Sequence, residues 1–411
     1  MRTKMAIVIG GGIAGCSSAY ALAQRGIQVT LLERRASIAS EASGNPQAML
    51  YPRLSGDDTA SQFSLASYHY SLNFFKTLDL LPADFNVCGM LQLGFNTREL
   101  ARIQKVAAYF ASADWLNYVT ADQASALAGI ALAHDALYFP QAAWVNPQSL
   151  CLRLARHKNI LIKTLTNANK LLKNNDVFEV YSNDQCIEKA DVVIIANANE
   201  AQNMGLDLNL RTQSIRGQVS LVNASARSSA LNTIICSDGY LCPAQQTQHC
   251  LGATFSTENT DIAIDVLDHQ ANLARLKVLS MTLYDDLKDQ ISGGRVSFRC
   301  TSADYFPLAG ELCDSAALKS KPPRHNAQAA SLPWIKGLYL NIAHGSRGFT
   351  SAPLCAELLA CFICDETPPL PDALAGLLNP NRFLLRKLGL KRLAKTLATS
   401  ATTGMTPPIS G

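Results

Sequence analysis

Met5-Ala-Ile-Val-Ile-Gly-Gly-Gly-Ile-Ala-Gly15, continued through Cys16–Gly26 to Ile27-Gln-Val-Thr-Leu-Leu-Glu33, is the stretch that decides the fold. Met5–Ile9 is a short apolar run of the kind that forms a strand buried on both faces. Gly10, Gly12 and Gly15 form G-x-G-x-x-G at its end. Ala14–Arg25 then predicts a helix, Gly26 its stop, and Gln28–Leu32 a second strand ending in Glu33. Gly10 suits a tight turn, Gly12 lets backbone approach a pyrophosphate, and Gly15 lets helix and strand pack closely. The helix N-terminus faces the phosphates. Glu33, about 20 residues after the glycines, can accept hydrogen bonds from both ribose hydroxyls of an adenosine. Strand, glycines, helix, strand and acid in this order predict dinucleotide binding.

Composition bounds what the rest can be. At 411 residues, 48% hydrophobic and 17% charged, the chain has the length for two domains and the balance of an ordinary soluble enzyme. No apolar run reaches the roughly 18 residues needed to span a bilayer; the longest candidate, Ala352–Cys364, carries Glu357. Arg2 and Lys4 before a stretch ending Ile-Ala-Gly-Cys16 have the outline of a lipoprotein signal. Three consecutive glycines would break the apolar helix such a signal needs. Twelve cysteines without a framework predict reduced thiols in a cytoplasmic protein. Cys361 and Cys364 form one C-x-x-C with no second pair or histidine partners, so core packing is the better reading and no metal site is expected.

Net charge is +4 but unevenly placed. After Asp372 the chain carries Arg382, Arg386, Lys387, Lys391, Arg392 and Lys395 and no acid, leaving 30 basic against 32 acidic residues elsewhere. One reading is a surface for an anionic partner, RNA or membrane. The other is a solvated helix face, with Leu390, Leu393 and Leu397 inward and Lys391, Arg392 and Lys395 outward.

Further along, Glu41–Pro52 is a loop rich in small residues, with Ser43, Gly44 and Asn45 as candidate polar contacts. Thr59–Leu78 places Phe63, Tyr70 and Phe74 at helical spacing. Cys88–Phe95 alternates as a strand, and Arg98–Ala111 and Ala121–Ala128 predict helices. Asn146 can cap a helix starting at Pro147. Asp191–Ala196 is a second buried strand of the parallel type, which returns the chain to the nucleotide-binding half. From Gly217 the pattern is β-rich, interrupted by a helix over 268–287, and Pro322–Leu332 predicts a surface loop. Gly337–Ile342 is a final strand, and His344-Gly-Ser-Arg-Gly-Phe-Thr-Ser-Ala-Pro353 opens a late helix, supplying a second positive helix end.

The N-terminal glycines and Glu33, the strand ending at Ala196, Arg216-Gly-Gln and the Gly345–Pro353 loop resemble the D-amino-acid oxidase-like flavoproteins, among them glycine and sarcosine oxidases. More narrowly, several stretches resemble the FAD-dependent domain of the bifunctional tRNA 5-methylaminomethyl-2-thiouridine biosynthesis proteins. They are Ala42-Ser-Gly-Asn45, Leu50-Tyr-Pro52, Cys88-Gly89 to Leu93-Gly94, Tyr138 to Pro147, Asp238-Gly-Tyr240, Arg299-Cys-Thr301 with Asp304, Gly345-Ser-Arg-Gly348, Ser351 to Glu357, and Asn379-Pro-Asn-Arg382. The likeness covers Ile7 to about Lys387.

The resemblance implies an α/β fold: a Rossmann-type FAD-binding domain in 1–86, 146–216 and 336–378, interleaved with a mixed, mainly antiparallel substrate domain in 87–145 and 217–335. A basic C-terminal tail would follow in 379–411. It implies non-covalent FAD held by Gly10, Gly12, Gly15, Glu33, Ser43, Gly44, Asn45, Ala196, Gly345, Ser346, Arg347 and Gly348. The implied reaction removes the carboxymethyl group from 5-carboxymethylaminomethyluridine at the tRNA wobble position, releasing glyoxylate. A glycine-like carboxylate calls for a bidentate cation. Arg299 matches the family position for that role, Tyr240 matches a hydroxyl that helps hold the carboxylate, and Arg347 would touch substrate or flavin. No general base is required. The family protein carries a methyltransferase domain ahead of this one, whereas here the first strand begins at Met5. The expectation is therefore a chain performing only the oxidative step, partnered by tRNA and by a separate tRNA methyltransferase, with no membrane role. The alternatives are an oxidase or dehydrogenase of free glycine, sarcosine or D-amino acids, and a non-catalytic tRNA-binding flavoprotein. Ala48, Ala142 and Ala198 stand where the family would carry glycine.

Overall fold

In the computed structural model, residues 4–397 are described. Arg2 and the tail beyond Leu397 lie outside them. The chain forms two compact units and crosses between them four times: 1–43, 151–214 and 299–411 make the first, 44–150 and 215–298 the second.

The first unit is built on a six-stranded sheet in the order Leu308–Cys313, Trp334–Ile342, Val192–Ile195, Met5–Ile9, Gln28–Leu32, Ile160–Lys163. Five strands run parallel and Leu308–Cys313 pairs antiparallel at one edge. Ile7, Val8, Val193, Ile194, Leu338 and Leu340 are buried, as expected of parallel strands covered on both faces. The helices Ile13–Gln24 and Gly348–Ile363 pack against one another on this sheet. Arg25 ties their far ends, bonding Glu357 at 2.6 Å and Glu366 at 2.7 Å. Its hydrogen bond holds the Glu366 carboxyl below the ordinary range. A three-stranded antiparallel sheet, Lys170–Asn174, Val177–Ser182 and Gln185–Ala190, completes the layer.

The second unit centres on a mixed, mainly antiparallel sheet. Met90–Leu93 pairs in parallel with Ile234–Cys236, and the pairings of Gln248–Gly252, Tyr240–Leu241 and Ala136–Phe139 are antiparallel. The helix expected over 268–287 is two, Val266–Leu279 and Met281–Leu287. Ser280 is extended, and its hydroxyl caps the second helix by accepting from Leu283 N at 3.3 Å. Leu276, Leu279, Leu283 and Leu287 still face one core with Leu91, Val222 and Leu251. Arg216 is 1% exposed and acts inside this unit. It bonds Asp268 and the carbonyls of Asp261 at 2.7 Å and Ala263 at 2.8 Å, fastening the 256–265 loop.

The divisions differ from those expected at two places. Residues 44–86 group with the second unit because Ala48–Leu50 and Phe85–Asn86 both pair with Ala143–Val145. Residues 299–335 group with the first because Leu308–Cys313, a strand not anticipated, joins its sheet.

The described part of the basic tail is docked. Asn381 Nδ2 donates to Glu311 O at 2.9 Å, and its Oδ1 accepts from Cys313 N at 2.9 Å. Asn379 Nδ2 donates to Leu393 O and Thr396 O at 3.0 and 2.8 Å. Arg382, one of the six basic residues of the tail, is fully buried. It forks onto Asp304 at 2.6 and 3.0 Å and donates to the carbonyls of Phe306, Pro307 and Asn379. Burial would raise the Asp304 pKa, but the Arg382 guanidinium holds it below the usual value. Leu390 and Leu393 face inward while Lys391, Arg392 and Lys395 are exposed.

Arg382→Met removes every one of these bonds while keeping side-chain bulk. It is expected to destabilise the fold by about 2–4 kcal/mol, because the carbonyls of Phe306, Pro307 and Asn379 lose their donor and half-buried Asp304 keeps only the exposed Arg386. A urea midpoint unchanged from wild type would contradict this.

Candidate active site

Three glycines shape the cradle at the head of the first helix. Gly10 has φ +108°, and a Cβ there would lie 2.7 Å from the Ala196 carbonyl oxygen. A Cβ on Gly12 would come within 3.1 Å of Ser43 Oγ, and one on Gly15 within 1.8 Å of Gly10 O. No side chain fits at Gly15 without moving the strand–helix turn. Gly12 has no capping side chain of its own, and Ser43 Oγ accepts from Ile13 N at 3.0 Å. Ser43 thus belongs to the cradle, placed by the loop that follows the second strand. Glu33 is buried at that strand's tip, its Oε2 accepting from Gly11 N at 2.9 Å and its Oε1 from Arg35 N at 2.7 Å. Two backbone donors lock the carboxylate beside the glycine loop. A positive helix end, backbone bare of Cβ atoms and an oriented acid fit the pyrophosphate and ribose of FAD.

The second part lies where Trp334–Ile342 ends. Ala343 and Gly345 take φ +65° and +58°, turning the chain into a loop that runs directly into the Gly348–Ile363 helix. A Cβ on Gly348 would come within 3.1 Å of Ile13 Cγ2, so this loop packs on the cradle helix. His344 bridges to Thr301, near the end of the strand Ile291–Ser302 that carries Arg299. A Cβ on Gly345 would lie 3.0 Å from Thr301 Cγ2. Arg299 and Arg347 therefore ride on neighbouring backbone segments of one unit, both half-buried. Arg347 Nε is buried with no hydrogen-bond partner among the described residues. Arg347 also stands at the N-cap of the late helix, which has no side-chain cap. Ser346 is exposed.

A polar link that sequence reasoning missed positions this loop. Asn341 is fully buried, with Nδ2 donating to Ser18 Oγ at 3.0 Å and Ala14 O at 3.4 Å on the cradle helix. That leaves its Oδ1 facing His344 Nε2 at 3.0 Å. Burial pushes the His344 pKa down to about 3, so the ring is neutral. Nδ1 lies 2.9 Å from Ser351 Oγ, which also reaches Arg347 O at 3.0 Å. Both ring nitrogens are engaged in holding the loop. No spacing in the sequence marks Asn341, His344 and Ser351 as partners; they meet only through the fold.

Three expected residues belong to the second unit. Asn45 Oδ1 accepts from Arg295 Nη1 at 3.0 Å, Gly44 adjoins it, and Tyr240 is half-buried with its hydroxyl 4.0 Å from Cys250 Sγ. Of the three alanines at expected glycine positions, Ala198 alone adopts positive φ, +53°. A Cβ there costs about 1 kcal/mol against glycine. All twelve cysteines are free thiols, and no cluster of three or more potential metal ligands occurs among the described residues.

A family model for FAD dependent oxidoreductases matches residues 5–361. The chain belongs to that family. FAD is its cofactor, consistent with the cradle above. Among curated proteins it is 44% identical over 400 residues to the tRNA 5-methylaminomethyl-2-thiouridine biosynthesis bifunctional protein MnmC of Methylobacillus flagellatus, covering 97% of this chain and 62% of that protein. It is 41% identical to the protein of the same name from Pseudomonas paraeruginosa, over 94% of this chain and 60% of the relative. The chain thus spans about three fifths of the relatives it matches. Two solved structures share the fold. Glycine oxidase from Geobacillus kaustophilus has a TM-score of 0.73 at 18% identity, covering 89% of this chain and 96% of the other. L-proline dehydrogenase from P. horikoshii has a TM-score of 0.76 at 18% identity, covering 93% and 98%. No helix among the described residues is long and apolar enough to cross a membrane.

Gly15→Ala forces its new methyl onto the Gly10 carbonyl. The variant is expected to purify without visible flavin absorbance while keeping its far-UV circular dichroism. Stoichiometric FAD in the purified variant would contradict this account of the cradle.

Proposed function

We propose that this chain removes the carboxymethyl group from 5-carboxymethylaminomethyluridine, with or without 2-thiolation, at the tRNA wobble position, giving the 5-aminomethyl base and glyoxylate. The observation that carries the reading is 41–44% identity, over nearly the whole chain, to bifunctional relatives named for the biosynthesis of 5-methylaminomethyl-2-thiouridine in tRNA, a base one methyl group beyond the 5-aminomethyl product. The substituent is an N-substituted glycine, which agrees with a fold shared with glycine oxidase. FAD, when bound, would supply the two-electron acceptor for oxidation at the α-carbon of the neutral secondary amine, and hydrolysis of the oxidised C–N bond would release the primary amine and glyoxylate.

The cradle residues Gly10, Gly12, Gly15, Glu33, Ser43 and Ala196 would hold the dinucleotide, with Gly44 and Asn45 assigned to the same loop. Arg299 is assigned the substrate carboxylate, because its planar fork matches two carboxylate oxygens at once. Tyr240 is assigned a supporting hydroxyl. Gly345, Ser346, Arg347 and Gly348 would line the flavin. The unpartnered Nε of Arg347 supplies a donor there, and the uncapped helix end adds positive potential where negative charge develops. His344 is not assigned as a base, since both its nitrogens are committed to Asn341 and Ser351. These side chains orient the amine rather than move its protons. Converting aminomethyl to methylaminomethyl, as the relatives' name requires, takes a methyl transfer that we assign to a separate methyltransferase activity.

The test is anaerobic single-turnover mixing of the yellow protein with tRNA bearing the carboxymethylaminomethyl group, and separately with glycine and sarcosine. Rapid bleaching of the flavin band by the tRNA is expected. Arg299→Ala should slow it by about 10²-fold or more, with Arg299→Lys intermediate because it keeps charge but loses the fork. Bleaching by the free amino acids alone would overturn the assignment in favour of a free amino-acid oxidase. No bleaching by either would favour a binding role.

A further inference from the structure

Two stretches distant in sequence form one basic surface in the first unit. Residues 315–336 carry Lys319, Lys321, Arg324 and Lys336, residues 373–397 carry six further cations, and neither stretch contains an aspartate or glutamate. They are brought together by a small apolar core of their own: Cys313, Leu318 and Leu332 from the first side, Leu384, Leu385, Leu390 and Leu393 from the second. Arg392 Nη2 donates to Ala327 O, and Ala327 N closes a turn back to Arg324 O at 2.9 Å. The loop and the tail are therefore one surface.

The charges on it are largely uncompensated. Lys319 pairs with Asp207 and Arg386 with Asp304, while Arg382 is buried. Lys321, Arg324, Lys387, Lys391 and Lys395 are exposed and make no ion pair among the described residues, and Arg392 spends one donor on a neutral carbonyl. Exposed cationic side chains without carboxylate partners are the groups that neutralise phosphates and release their counterions. No large hydrophobic side chain is exposed in either stretch, so nothing here would wedge into a bilayer. The surface is also anchored to the candidate active site. Arg382 bonds Asp304 and Ser302, at most five residues beyond Arg299.

We propose that Lys321, Arg324, Lys387, Lys391, Arg392 and Lys395 form the surface that binds the phosphate backbone of an RNA substrate. The proposal rests on the tRNA reading above for the RNA's identity, but not for its test. An unmodified tRNA transcript is titrated into FAD-loaded protein at several salt concentrations, using wild type, K387Q/K391Q/K395Q and K321Q/R324Q. All five substituted side chains are exposed and unpaired, so FAD content and thermal midpoint should match wild type. Each variant is expected to weaken binding about tenfold or more, and the triple variant to flatten the log K against log salt slope by about two to three units. Affinity and slope unchanged in both variants would overturn the proposal, even if wild type oxidises modified tRNA. Loss of RNA binding in the variants, with no oxidation of modified tRNA by wild type, would uphold this surface and overturn the substrate assignment instead. Binding to phosphatidylglycerol vesicles but not to tRNA would also overturn it.

Discussion

The contact between Gly15 and the Gly10 carbonyl is the tightest constraint in the first unit, and much else follows from it. A helix can approach a strand this closely only where no Cβ intervenes. That approach puts the helix N-terminus against the strand ends at Ala196 and Glu33, so the positive end of a dipole and an oriented acid share one cradle. The same helix carries Ile13 against Gly348 and Ser18 against Asn341. The first helix thus seats the dinucleotide cradle and the late loop together, although more than 300 residues separate them.

Electrostatics in this unit are arranged by burial as much as by charge. His344 is neutral because it is taken out of water, and a neutral ring can donate from one nitrogen and accept at the other. It therefore links strand to helix without adding charge near Arg347. Arg382 and Asp304 show the opposite solution: the guanidinium holds the Asp304 carboxyl in its charged form against burial, and the remaining guanidinium donors find carbonyls. The first device positions a loop, the second fixes the segment around Asn379–Arg382.

What could be read from the sequence was local. The apolar runs at Met5–Ile9, Gln28–Leu32 and Asp191–Ala196 and the glycine spacing between the first two announce buried parallel strands with a phosphate turn, and the structure has them in register. Leu308–Cys313 escaped notice because Gly310 and Glu311 interrupt its apolar character. It is a strand through pairing with Trp334–Ile342, and Glu311 is tolerated in the core because Gly337 N donates to it at 2.9 Å. Ser280 gave no sign that it would split a helix, since serine is compatible with either outcome until its hydroxyl finds Leu283 N. Arg382 was legible as part of a motif but not as buried, because its partner Asp304 is 78 residues away. The candidate site divides in the same way: Gly10, Gly12, Gly15 and Glu33 declare themselves by spacing, whereas Arg299, Tyr240 and Arg347 are assigned by resemblance.

The most direct test of the account is nucleoside analysis by mass spectrometry after the FAD-loaded protein has turned over tRNA carrying 5-carboxymethylaminomethyluridine. Conversion to 5-aminomethyluridine, with one glyoxylate released for each base converted, is the predicted result. Recovery of the starting nucleoside intact, under conditions where the same protein oxidises free glycine or sarcosine, would contradict it.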